Sequence, residues 1–462
     1  MNILSYRGPS TPGGVSATLS RVIERSKDEQ QWWYLHGSDL RKKIGNTTTP
    51  VCQIPFKIVE GHYRYCNNFL WPILHELPEY AIFNESDSDL YQQLNKSFAW
   101  NLLLEPRSRS SKKTLINDYQ LAYCPKILFE QLRIRVDIFW HIPWPKHVRE
   151  EHVPFLRDLA NSLLCAQKIG FHVESYVSNF LSFVDKFVPD YRVDFCSNEV
   201  ISKDNLRTSV VARPLGIDNE FWQGKSKDES AKCLDVELEF LSKQEFLLSV
   251  DRADYTKGIF QRLQAIEHFF QTNRKQRGKI TFVQVCQPTR MGLENFDEYW
   301  RSCRFLFDSI NSQFGTSDWK PIIWIDTPLS SNTLAWLYKR ATLMLITPLY
   351  DGLNLTAKEF AVCSEDGILM LSNRAGAWHE LKENVVTLDS ITAESISMRI
   401  IEALSISDIE RRKRMVGLKQ TLTQNCLSNW WQNFGAELKD SDRVVPLTVK
   451  LHHTSKRDSW MA

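Results

Sequence analysis

EFLLSVDRADYTKGI (residues 245–259) runs an apolar stretch into two cations and a glycine, and GIFQRLQAIEHFFQTN (258–273) follows at once with helical spacing. The first part reads as a strand, Glu245–Val250, and the second as an amphipathic helix, Gly258–Asn273. The same grammar recurs along the chain. Apolar runs at Ile134–Trp140, Ile280–Val285, Ile322–Ile325, Leu343–Thr347 and Gly367–Leu371 alternate with helical patterns such as Thr333–Arg340. Runs without polar alternation suit strands covered on both faces, so the fold class is α/β with parallel sheets.

The 462 residues are long enough for two or three domains, and two sheets fit better than one. RPLGID (213–218) is Pro/Gly punctuation between two strand–helix series, and the polar GKSKDES (224–230) follows it. That places an N-terminal Rossmann-like domain at 1–215 and a second at 216–440. Asn425–Leu438 reads as a terminal helix free to cross back, and 441–462 reads as a mobile tail. Two doubly wound domains facing each other would set the C-terminal ends of their strands, the usual ligand sites, across one cleft.

Composition excludes several classes. Lys+Arg (57) and Asp+Glu (55) nearly cancel to +2, which argues against binding nucleic acid or an acidic membrane through bulk charge. No run of 18 apolar residues and no basic-then-apolar leader occurs, so a cytoplasmic protein is expected. The ten cysteines are scattered without a CxxC pair, which reads as reduced thiols and no zinc site. DSD at Asp87–Asp89 and Asp440–Asp442 reads as solvated loop, and no metal or other cofactor is expected. The 15 tryptophans are only a lead, since such rings line cores and sugar clefts alike; Trp140 and Trp144 flank His141 at the expected cleft.

Four segments carry candidate chemistry. Arg252 and Lys257, placed in the loop and helix start after a strand, suit a diphosphate; a solvated basic loop is the bland alternative. TPLYDGLNLTAKEFAV (347–362) takes a strand through a Pro/Gly turn into a helix near Asn354. The amides of Gly352, Leu353, Asn354, Leu355 and Thr356 would face an anion, with Asp351 and Glu359 able to accept from sugar hydroxyls. The alternative there is an acidic helix start favoured by the dipole. His141 in DIFWHIPWP follows an apolar strand, where a lone histidine is more often structural. Asp118 follows a short run in INDYQL, and SYRGPSTPGGVS offers Arg7 and a Gly13-Gly14 turn.

In order, YRGPSTPGGVSATL, FLWPILHELP, NDYQL, WHIPWP, IGFHVESYVSNF, RPLGID, SVDRADYTKGI, QPTR, TPLYDGLNLTAKEF and LSNRAGAWHEL run from residue 6 to 381. Together they resemble the trehalose-6-phosphate synthases and their relatives. These are retaining nucleotide-sugar glycosyltransferases with two facing Rossmann-like domains, the GT-B architecture.

The resemblance implies a metal-independent hexosyltransferase acting on UDP-, ADP- or GDP-glucose and a phosphorylated acceptor, glucose 6-phosphate by default. Arg252 and Lys257 would clamp the donor diphosphate, Asp351 and His141 would meet the donor sugar, and Glu359 would hold the ribose. The Gly13-Gly14 loop would close over the donor, and Leu329 would lie by the base. The family retains configuration with no protein nucleophile, the leaving phosphate taking the acceptor's proton. Arg7, Trp71, Asp118 and Arg290 match acceptor positions. His36 and His62 stand where trehalose-6-phosphate synthases carry Trp and Tyr, which leaves the identity of the phosphorylated acceptor open. Glucosylglycerol-phosphate synthesis, a pseudo-glycosyltransferase joining cyclitols, and a silent regulatory homologue are the alternatives. No nucleic-acid or membrane partner is implied, and a homo-oligomer is left open.

Overall fold

The computed structural model describes residues 1–8, 14–25, 30–35, 43–44, 47–48, 51–52, 54–104, 113–228, 241 and 244–432. His36, Gly13 and the 441–462 tail lie outside them.

Among the described residues, strand–helix alternation builds two large sheets, and Lys43–Ile44 pairs with Thr47–Thr48 as a separate two-stranded ribbon. The first holds nine strands in the order Val51–Cys52, Gln31–Leu35, Asn2–Ser5, Thr114–Asn117, Asp137–Phe139, Lys168–Phe171, Arg207–Ala212, Glu199–Ser202 and Tyr191–Asp194. Its first seven strands are parallel and the last two close it as an antiparallel edge. The second holds six parallel strands in the order Ile322–Ile325, Ile280–Gln287, Glu245–Arg252, Leu343–Ile346, Ile368–Ser372 and Val386–Leu388. In both, the order runs outward from a central strand in two directions, which leaves a crevice at the strand C-termini.

The predicted strands appear with shifted ends. Arg252 is the last residue of its strand rather than a loop residue, because Glu245–Arg252 pairs over its whole length with Ile280–Gln287. Lys257 closes a 3-10 turn, Tyr255–Lys257, and the helix Ile259–Thr272 begins only after Gly258. Gly258 has φ +63, and a Cβ there would sit 2.1 Å from the Thr347 carbonyl, so a side chain is excluded on two counts.

Alternate residues of one strand feed different cores. Leu4, Ile116 and Ile138 pack under the helices of the first sheet. Ile3, Leu115 and Phe139 join a core continuous with Phe246, Leu248 and Met344 of the second. Between the sheets the chain passes through Leu215 and Ile217, both buried. At Gly216 a Cβ would lie 2.2 Å from the Cys426 carbonyl carbon, so the two connections cross where only glycine fits. The helix Leu427–Gln432 then sets Trp430 against Phe139 of the first sheet, ring centroids 5.1 Å apart.

Two expectations are corrected by the packing. Asp87 is not in a solvated loop: it opens the helix Glu85–Leu104 and takes a two-point contact from Arg64, at 2.9 and 2.7 Å. Trp140 and Trp144 do not line the cleft beside His141; both are fully buried in the core. Among the described residues no helix is long and apolar enough to cross a membrane, and no group of three or more His, Cys, Asp or Glu gathers as a metal ligand set.

Candidate active site

The strand ends of both sheets deliver the candidate residues to one place. Asp118 follows the strand Thr114–Asn117 and His141 follows Asp137–Phe139 in the first sheet. Arg252 ends its strand in the second sheet, and Asp351 follows Leu343–Ile346. Three of these loops are backbone outliers: Asp118 has φ 71, Arg290 φ 52 and Asn354 φ 79, positions that non-glycine residues occupy only when their surroundings hold them there.

Around the loop that follows Leu343–Ile346, Lys257 Nζ lies 2.5 Å from Asp351 Oδ2, and Asn354 Nδ2 donates to the same oxygen at 3.1 Å. Asn354 also caps the helix Leu355–Cys363: its Oδ1 accepts from the Ala357 amide at 3.1 Å and from the Thr356 hydroxyl at 2.7 Å. Asparagine is needed there because it both adopts positive φ and caps. This loop is docked on the first sheet. A Cβ at Gly352 would lie 2.3 Å from the His141 carbonyl oxygen, and one at Gly14 would lie 2.7 Å from Leu355. Glu359, one turn further along, accepts from the Tyr338 hydroxyl at 3.0 Å. Burial pushes its carboxyl up to about 7, against the opposing pull of Tyr338 and Arg21. Leu329 sits half-buried in the loop before the helix Ser331–Arg340.

His141 is held by its neighbours rather than by a charge partner. Its amide donates to Asp118 Oδ1 at 3.0 Å, and its Nε2 lies 3.1 Å from Asn117 Oδ1. Burial lowers the ring to about 3, so the imidazole is neutral, and Nδ1 has no partner. Asp118 also takes the Tyr119 amide; burial raises its carboxyl to about 7, moderated by those two amides and by Arg7.

A second cluster bridges the sheets. Arg290 Nη1 donates to Asp254 Oδ2 and Nε to Asn67 Oδ1, and the guanidinium lies over Trp71 at 4.2 Å and Phe296 at 4.8 Å. Trp71 Nε1 donates to Asp254 Oδ1 at 3.3 Å. Burial opposes ionisation of Asp254, yet Arg290, Arg252 and Lys257 outweigh it and hold the carboxyl at about 2. Arg252 feels the opposite balance: burial, then Arg290 and Arg7, lower it to about 10, with Asp254 and Asp351 compensating. Arg290, Arg252 and Lys257 thus share the Asp254 carboxylate, and Asp351 lies beside Lys257 and Arg252.

The structure brings together Arg252, Lys257, Asp351, Gly352, Leu353, Asn354, His141, Asp118, Arg7, Trp71 and Arg290. It removes His62. That ring is fully buried between Tyr6 and Tyr91, at 4.8 and 5.1 Å, with Nε2 2.9 Å from the Gln120 carbonyl oxygen. An acceptor contact for His62 is corrected to a place in the core. Sequence reasoning missed Asp254, Asn67, Tyr176 and the buried Arg262. Arg262 ties Asp251, Gln284, Thr347 and the Lys257 carbonyl together through four hydrogen bonds. Asp254 lies within SVDRADYTKGI and Tyr176 within IGFHVESYVSNF; only their partners across the cleft reveal them.

The family model for glycosyltransferase family 20 matches residues 21–440. The chain belongs to glycosyltransferase family 20. Among its relatives, a bifunctional trehalose-6-phosphate synthase/phosphatase of Thermoproteus tenax is 33% identical over 86% of this chain, which spans only 54% of that protein. A UDP-forming alpha,alpha-trehalose-phosphate synthase of Aspergillus niger is 30% identical, over 83% of this chain and 80% of the relative. In fold, this member of family 20 matches the Burkholderia xenovorans UDP-forming synthase crystallised with glucose 6-phosphate. The TM-score is 0.85 at 24% identity, over 94% of this chain and 98% of that one. It matches an E. coli trehalose-6-phosphate enzyme bound with UDP-2-fluoro glucose at TM-score 0.84 and 22% identity, over 94% and 97%. The architecture is GT-B: two facing Rossmann-like sheets with the candidate site between them.

Proposed function

We propose that this chain is a retaining glucosyltransferase that moves glucose from UDP-glucose to glucose 6-phosphate, forming trehalose 6-phosphate. The observation that carries the reading is the convergence of Arg252 and Lys257 from one sheet with Asp118 and His141 from the other on the Asp351 loop. The names of the relatives supply the substrates: one is UDP-forming, and one fold neighbour holds glucose 6-phosphate.

In this reading the donor diphosphate exchanges with Asp351 for Lys257 and lies against Arg252. As the C1–O bond to the diphosphate breaks, both cations stabilise the charge that develops on the leaving oxygen, and fixed charges of this kind are the main source of rate enhancement in such a site. Asp351, released from Lys257, accepts from the sugar hydroxyls together with the unpartnered Nδ1 of neutral His141. Glu359 accepts from the ribose, and the Gly352–Thr356 amides and Leu329 complete the donor side. Arg7, Arg290, Trp71 and Asp118 hold the phosphorylated acceptor. Its hydroxyl attacks C1 on the face the diphosphate leaves and gives its proton to the departing oxygen. The two domains at 1–215 and 216–440 supply the acceptor and donor halves, and the chain works in the cytoplasm without a resident cofactor.

Nucleotide release with UDP-, ADP- and GDP-glucose against glucose 6-phosphate and glycerol 3-phosphate tests the assignment. The expected pair is UDP-glucose with glucose 6-phosphate. Turnover of another pair alone would replace the substrates, and turnover of none would end the reading.

A further inference from the structure

IGFHVESYVSNF is a motif that the reaction above leaves without a task. Its Tyr176 lies on the helix Glu174–Phe187, which follows the strand Lys168–Phe171 of the first sheet. The hydroxyl donates to the backbone carbonyl of Asp351, in the second sheet's donor loop, at 2.9 Å and in a buried setting. The same carbonyl accepts the Gly376 amide at 3.0 Å, and the Asp351 amide donates to the Arg374 carbonyl at 3.0 Å. Both acceptor sites of that oxygen are thus filled, one from each half of the molecule. On the next residue, Gly352 abuts the His141 carbonyl with no room for a Cβ. The ring of Tyr176 meets Tyr350 edge-on at 6.0 Å.

We propose that Tyr176 is a positioning residue that sets the Asp351 carboxylate for the donor sugar, through a hydrogen bond made only when the two sheets are closed on each other. The inference rests on the functional reading given above. Asp351 is held within its own sheet by Gly376, Arg374, Asn354 and Lys257, and in the reading above the donor takes Lys257 from it. The Tyr176 bond fixes the peptide from the far side of the cleft, so the sugar subsite is complete only in the closed form. The ribose and base contacts lie further from that peptide, with Glu359 on the helix Leu355–Cys363 and Leu329 before the helix Ser331–Arg340.

The test is Tyr176→Phe in the full chain, which keeps the ring against Tyr350 and leaves the Asp351 carbonyl its Gly376 partner. Calorimetric titration with UDP-glucose and with UDP separates the two halves. Loss of one hydrogen bond predicts about fivefold to tenfold weaker UDP-glucose binding, a matching rise in donor KM, and UDP affinity and acceptor KM within about twofold of wild type. Equal weakening of UDP and UDP-glucose, or no change in either, overturns the role of Tyr176. A wild-type chain that binds none of UDP-, ADP- or GDP-glucose overturns the functional reading itself, a result visible before any variant is made.

Discussion

Lys257 Nζ and Asp351 Oδ2, ninety-four residues apart in sequence, meet at 2.5 Å with both side chains nearly buried. A buried pair of this kind gains stability only modestly, because desolvation offsets attraction. In the proposed function its value lies in exchange, each partner being held ready for a ligand group of the other's charge. Lys257→Ala is therefore expected to lower turnover by about two orders of magnitude or more, since it removes a cation from the developing diphosphate charge. Asp351→Asn is expected to weaken UDP-glucose binding while tightening UDP, because it frees Lys257. Titration of both ligands against both variants checks this; weakened UDP binding in Asp351→Asn would contradict the exchange.

Arg290, proposed as an acceptor contact, also has a structural place. It neutralises the buried Asp254 carboxylate and fills the space between Trp71 and Phe296. Arg290→Ala should raise the acceptor KM by at least about tenfold with UDP affinity retained. It should also lower stability, because Asp254 loses its direct ion pair and keeps only Arg252, Lys257 and the hydrogen bonds from Trp71 and Thr256. Steady-state kinetics with denaturant unfolding reads both; an unchanged acceptor KM would remove Arg290 from the acceptor site.

His62 gives an acid sensitivity whose sign is fixed. Burial lowers its ring to about 4, while the unfolded chain takes up the proton near 6.5. As pH falls from about 7 to 5 the unfolded state gains protons that the folded state refuses, so this group's contribution drops by about 2 kcal/mol. His62→Phe preserves the stack between Tyr6 and Tyr91, and Asn95 still satisfies the Gln120 carbonyl at 3.1 Å. Urea unfolding at the two pH values should show the variant losing about 2 kcal/mol less than wild type. Parallel losses would contradict the burial argument.

Glu359 imposes a dependence of the same sign on ligand affinity. With its carboxyl raised to about 7 by burial, the form able to accept two ribose hydroxyls prevails only above that pH. UDP affinity should rise between about pH 6 and 8, and Glu359→Gln should flatten that rise. An identical pH profile in the variant would assign the titration elsewhere.

What the sequence made legible follows from which signals are local. Continuous apolar runs such as ITFVQV announced the buried parallel strands, and the Pro/Gly turn before Asn354 announced the helix that starts there. The edge hairpin Tyr191–Asp194 with Glu199–Ser202 was not legible, because the half-exposed YRVD carries no apolar run. Asp87 read as solvent-facing because its partner Arg64 lies on another helix. His62 read as a ligand because nothing local reveals that Tyr6 and Tyr91 enclose it. Tyr176 and Asp254 share the same difficulty: their meaning lies in partners on the opposite sheet.

The central claim is that the donor diphosphate lies against the cations that the second sheet brings to the cleft. Its most direct test is the turnover of Arg252→Ala with UDP-glucose and glucose 6-phosphate, beside the melting temperature of the unliganded variant. A fall in kcat/KM of about a hundredfold or more, with the melting temperature held, is the predicted result. Near-normal turnover would place the diphosphate elsewhere and contradict the account.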